Sequence, residues 1–121
     1  ALRNQQMHFY YKILANVEGI KLRKYADWCA PVHWMMTVTL YEQYDRDKFL
    51  DYMKNNEIDC RQMINPVHHA DHFKSKYSDN DFSNSVNISK QSAHLPSGLS
   101  LTENQISKVA NKIVEYFLSV E

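Results

Sequence analysis

Glycine is nearly missing from this chain. Of 121 residues only Gly19 and Gly98 are glycine and three are proline, so there is no flexible Gly/Ser linker, and the chain reads as one continuous unit. Cysteine is equally sparse: Cys29 and Cys60 are the only two, without C-x-x-C spacing, which points to reduced packing thiols rather than to redox chemistry or a disulfide framework. No charge of one sign prevails. Fourteen Lys and Arg offset fourteen Asp and Glu, which argues against the broad cationic field that nucleic acid or an anionic membrane surface requires. Any anion bound here must be held locally. No apolar run approaches the roughly 20 residues of a membrane helix, and the start, Ala1-Leu2-Arg3-Asn4-Gln5-Gln6, has no apolar signal-peptide core. A soluble, cytoplasmic protein is the expectation. The length suits one domain, residues 1–121, with a core of ordinary size and no room for a second full domain.

What is present is periodicity. Leu2, Met7, Phe9, Tyr10, Ile13, Leu14 and Val17 recur at three- and four-residue intervals, which predicts a helix over 1–17 that Gly19 then stops. Ile20 to Tyr25 alternates apolar with basic residues, as a strand with one solvated face does. Val32 to Tyr41, rich in β-branched and aromatic side chains, predicts the central strand. Asp45 can cap a helix whose buried stripe is Phe49, Leu50 and Met53, ending near Asn55-Asn56. Ile58 to Ile64 is an expected strand, stopped by Asn65-Pro66. A loop or short helix is expected from His68 to Tyr77, and a short helix over 83–93 with Val86, Ile88 and Ala93 as its apolar members. Thr102 with Gln105 three residues on forms a capping box for a last helix, with Ile106, Val109, Ala110, Ile113, Val114 and Phe117 on one face. This order predicts an α+β domain: a small, mostly antiparallel sheet covered by helices.

Six short motifs then fall in one order. They are Asp59-Cys60-Arg61; Asn65-Pro66-Val67-His68; His94-Leu95-Pro96; Leu99-Ser100-Leu101-Thr102; an upstream helix bearing Arg3, Tyr10, Tyr11 and Leu14; and His33-Trp34-Met35-Met36 followed by Arg46-Asp47. Together they resemble the C-terminal small domain of the DegT/DnrJ/StrS-type sugar aminotransferases, in particular perosamine-synthase-like members. The resemblance implies the small-domain fold of the aspartate-aminotransferase type, a PLP cofactor, a nucleotide-linked keto-sugar as substrate, and a homodimer with sites between subunits. Two departures stand out. Glu57-Ile58 occupies a stretch where the family usually has a glycine, and Met63-Ile64 replaces its usual aromatic pair. The Schiff-base lysine, the carboxylate that meets the pyridinium nitrogen and the phosphate-binding groups belong to the family's large domain. No such motif is present here, so this chain is expected to be inactive alone and to need that large domain as its partner. The alternative is a stand-alone module that binds a nucleotide-sugar or another protein.

The resemblance leaves Arg61 and His68 as the expected substrate-side residues. A guanidinium binds phosphate with a rigid two-pronged fork, and an imidazole after a proline-fixed turn can donate to a hydroxyl or phosphate oxygen. Lying seven residues apart, the two are expected on one rim. Their plainer reading is a strand-surface arginine and a helix-capping histidine. His68, His69 and His72 suggest a metal set, but the H-E-x-x-H glutamate is absent and no third ligand is marked by spacing, so no metal is expected. Trp28, Trp34, Tyr41 and Tyr44 read as core or interface rather than as a stacking platform, and His33 and His94 as makers of structural hydrogen bonds.

Overall fold

The computed structural model describes residues 2–120. Its elements are α1 (Leu2–Leu14), β1 (Ile20–Leu22), β2 (Met36–Leu40), α2 (Arg46–Asn55), β3 (Arg61–Gln62), α3 (Ser83–Gln91), β4 (Ser92–Leu95) and α4 (Glu103–Ser119), with 3-10 turns at Val67–His69 and Asp79–Phe82. The strands form one sheet in the order β1-β2-β4-β3, and every pairing is antiparallel. The α+β class expected from the pattern is therefore the one that forms.

The helix ends follow local chemistry. Asp45 Oδ1 accepts from the Lys48 and Asp47 amides at 3.1 and 2.8 Å and so caps α2. Those two bonds hold the Asp45 carboxyl below its usual range. At the other end Ile58 N–H donates to Met53 O and Glu57 N–H to Lys54 O, at 3.0 and 2.9 Å, the two reverse bonds of a Schellman motif. The residue at its left-handed position is Glu57, with φ of 61°. Thr102 and Gln105 form the expected capping box on α4.

One face of the sheet carries the core. Met36, Val38 and Leu40 of β2 and Ala93 and Leu95 of β4 pack beneath α1, α2 and α4. Phe49 of α2 meets Tyr116 and Phe117 of α4 at ring distances of 5.3 and 6.1 Å, and burial of such rings is a main contribution to stability. The opposite face is polar. Thr37 and Thr39 reach across to His94 and Ser92 with hydrogen bonds of 2.9 and 2.8 Å.

Several expected boundaries move. α1 ends at Leu14 instead of Val17; Ala1 lies outside the described residues. Gly19 is no helix cap. With φ of 102° it turns the chain into β1, and a Cβ there would sit 2.5 Å from the Phe117 ring. β1 stops at Leu22 and β3 holds two residues, because both are edges and pair only where a neighbour lies opposite. β2 starts at Met36; Val32 is 93% exposed and outside the sheet. The main departure is β4. The helix expected over 83–93 ends at Gln91, Ala93 belongs to the strand, and Ile88 is exposed. Helix runs into strand with neither glycine nor proline between them, and Ser92 and His94 occupy the polar face, so no apolar run marks the strand.

Candidate functional site

The residues that carry chemistry gather at one end of the sheet, around the loop after β4. That loop is latched to α1. The Tyr10 hydroxyl donates to Pro96 O at 2.7 Å, and Gln6 Nε2 donates to Gly98 O at 2.9 Å and Leu101 O at 3.3 Å. Arg3 donates to the carbonyls of Trp34 and Ser97. The Leu95-Pro96-Ser97-Gly98 turn is thus held by backbone carbonyls that α1 satisfies. Arg46 does the same elsewhere: its guanidinium donates to Ser89 O at 2.9 Å and Ser92 O at 3.3 Å, joining α2 to the junction of α3 and β4.

Register brings Arg61 and His94 side by side. Arg61 of β3 pairs with His94 of β4, and His94 pairs with Thr37 of β2. Opposed residues share a face. Arg61 and His94 line a cleft of about 300 Å³ together with Arg3, Trp34, Asp59 and Ser97. The Arg61 side chain is 73% exposed and, among the described residues, its ion pair is with Asp59, at 3.2 Å; an exposed pair of this kind is weak enough to be displaced. His94 is the opposite case, 7% exposed. Its Nδ1 bonds to Thr37 Oγ1, and its Nε2 is buried with no partner among the described residues. Burial pushes the imidazole pKa down, so the ring is neutral and offers one donor and one acceptor.

His68 lies elsewhere. It lines a second cleft of about 310 Å³ with Val67, Phe73, Tyr77, Phe82 and Ser85. Its ring is buried against Phe82, with centroids 5.0 Å apart, and its Nε2 meets Asp79 Oδ1 at 3.1 Å. The same oxygen takes His69 Nε2 at 2.7 Å. Bonds from His69 and then His68 hold the Asp79 carboxyl below its ordinary value. The single rim expected for Arg61 and His68 is therefore two clefts, because Pro66 and the turn after it carry His68 away from the end of β3. His94 is the residue that shares Arg61's cleft. Its spacing in the sequence gave no sign of this, since the pairing depends on the register of an unrecognised strand.

The remaining candidates sort by exposure. Trp28 and Trp34 are 88% and 63% exposed, so neither is core. Tyr44 packs edge-on against Phe117 at 4.9 Å, and His33 edge-on against Tyr25 at 5.4 Å. Both cysteines are free. Burial pushes the Cys60 thiol up to about 12, which leaves it protonated and inert. Arg3, Leu2, Val32 and Leu99 line a further, apolar cleft of about 550 Å³.

Known proteins share this fold. Residues 1–114 match the model of the DegT/DnrJ/EryC1/StrS aminotransferase family. GDP-perosamine synthase from Vibrio cholerae is 25% identical over 87 residues, which cover 70% of this chain and 24% of that protein. Among solved structures, S. venezuelae DesV, in complex with a ketimine intermediate, superposes with a TM-score of 0.87 at 23% identity, over 98% of this chain and 32% of DesV. The sugar aminotransferase CalS13 from Micromonospora echinospora does so with a TM-score of 0.75 at 20% identity, over 93% of this chain and 29% of CalS13. The chain thus spans about a quarter to a third of the length of these relatives. The family match over residues 1–114 includes β2, β3, β4 and the cleft they form, and on that match the chain belongs to the DegT/DnrJ/EryC1/StrS aminotransferase family.

Proposed function

We propose that the chain is the small domain of a PLP-dependent aminotransferase that acts on nucleotide-linked keto-sugars, and that it forms the substrate side of a site completed by a large domain. One observation carries the reading: an exposed arginine and a buried histidine are register neighbours in one cleft. Arg61 suits a diphosphate, which its guanidinium can grip with two parallel hydrogen bonds. His94 beside it, neutral, buried and held by Thr37 through Nδ1, forms the wall against which that group would sit. His68, expected in the same role, stands outside that cleft. A relative named for a GDP-linked sugar, GDP-perosamine synthase, and the structurally similar DesI, solved in the presence of its TDP-sugar product, support this ligand class.

PLP itself does not fit the residues at hand. Bound in a transaminase it serves as an electron sink tethered to a lysine, and the clefts lined by Arg61, His68, Gly19 and Leu2 have no lysine in their walls. The chain also exposes Trp28, Val32, Trp34, Leu2 and Leu99. Leu2, Val32 and Leu99 line one cleft, and exposed apolar side chains gathered in this way suit a surface that another domain covers.

The test is titration of the chain with GDP- and TDP-linked sugars. Arg61→Ala should weaken binding by about tenfold, as loss of a charge-assisted bond does, with an unchanged circular dichroism spectrum. Lost stability with unchanged affinity would assign Arg61 a structural role instead.

A further inference from the structure

The segment from Gln62 to Ser85 has a stability problem. Of its residues only His68 is buried, so it lacks the apolar contacts that normally fix a segment of this length. Its two 3-10 turns, Val67–His69 and Asp79–Phe82, nevertheless come together. They meet through the His68–Phe82 ring contact, 5.0 Å between centroids, and through a polar cluster in which His68, His69 and Asp79 each offer one ligand atom, all within 4.8 Å of one another.

We propose that His68, His69 and Asp79 bind one divalent transition-metal ion of the zinc class, which ties the two turns together and holds the walls of the aromatic cleft. Two imidazoles and a carboxylate are the borderline donor set that such ions prefer over calcium or magnesium. A tetrahedral ion with ligand bonds near 2.1 Å keeps its ligands about 3.4 Å apart. His68 at 3.1 Å from Asp79 is already close to that. The 2.7 Å separation from His69 must open by roughly 0.7 Å to reach it. Asp79 can make that move, because its side chain is half exposed. His68 cannot swing away; it is buried against Phe82 and in edge contact with His69 at 4.5 Å. One ligand is therefore fixed and two adjust around it. The fourth position opens to solvent. Asp81 does not fill it, since its carboxylate is engaged by the amide and hydroxyl of Ser78 at 2.7 and 3.0 Å. His72 stands outside the cluster and packs on Phe73.

The ion would close a span of eleven residues, His68 to Asp79, in a segment otherwise held by exposed hydrogen bonds and half-exposed ring contacts among His68, Phe73, Tyr77 and Phe82. Metals supply small or core-poor elements with stability in this way. The cluster does not touch the Arg61 cleft, so this inference and the nucleotide-sugar reading stand or fall separately.

Titration of the chain, free of any affinity tag, with Co²⁺ tests it. The expected result is one ion per chain, visible absorption of a four-coordinate N/O site, displacement by Zn²⁺, and a higher melting midpoint with the ion bound. Asp79→Asn, which keeps an acceptor for both imidazoles, and His69→Ala, at a half-exposed position, should each weaken binding by at least the roughly tenfold that loss of even an outer-shell partner costs. His72→Ala should bind as the unmodified chain does. Absence of saturable one-to-one binding, full affinity in either of the first two variants, or loss of binding in His72→Ala would overturn the assignment.

Discussion

Glu57 and Gly19 show how much one backbone angle decides. Glu57 takes φ of 61° at the end of α2, where a left-handed conformation costs a side chain about 1–2 kcal/mol. Glycine would avoid that cost and lose roughly 0.5–1 kcal/mol to its freer unfolded state. Glu57→Gly should therefore raise stability by about 0.5–1 kcal/mol in urea denaturation. The family glycine missing from the sequence at this point has a structural explanation: the Schellman turn forms without it, under strain. Gly19→Ala should do the reverse. Its φ of 102° and the Phe117 and Tyr44 rings at 2.5 and 2.9 Å from a new Cβ combine strain with overpacking, for a loss of about 3 kcal/mol in the same assay. The residue types at Arg61 and Thr102 were legible in the sequence because one belongs to a resembling motif and the other to a local capping pattern. His94 was legible only as a polar residue, since its neighbours come from strands that are far apart in the chain.

At the scale of elements, the interior strand β4 joins the polar and apolar halves of the fold. Its Ser92 and His94 face Thr39 and Thr37, while Ala93 and Leu95 enter the core. The caps of α2 and α4 and the apolar face of α4 could be read ahead because they depend on residues within one turn of each other. β4 could not, because four residues with two polar members carry no strand signature and no turn residue separates them from α3. Burial of His94 has a consequence in pH. Its folded-state pKa lies below the unfolded value of 6.5, so as pH falls the unfolded chain takes up this proton first. The stabilisation from His94 is whole above pH 6.5 and is lost as pH falls through the folded-state value. Denaturation midpoints between about pH 7.5 and about 5.5 should fall with acidification, and His94→Asn, which retains a polar partner for Thr37, should flatten that slope. The latch between α1 and the 95–101 loop makes a second, independent claim. Tyr10→Phe leaves Pro96 O without its donor, and a loss of about 1–2 kcal/mol is expected with the Arg61 cleft widened rather than abolished.

At the scale of the whole molecule, the sheet presents an end, not a closed site. The Arg61 cleft has cationic and hydrogen-bonding groups and no lysine, and the exposed tryptophans Trp28 and Trp34 stand near the start of β2. Both features suit a domain that shares a site with a larger one. The order of elements and the α+β class were legible from periodicity and caps, and the division of labour between Arg61, His94 and His68 was not, because it is set by strand register and by a proline turn that diverts the chain. The central claim is that this chain supplies substrate contacts and no Schiff-base lysine. Incubating it with PLP, reducing with borohydride and locating any modified lysine by mass spectrometry tests that claim most directly: the expected result is no stoichiometric adduct at a single lysine, and one lysine trapped at one PLP per chain would contradict it.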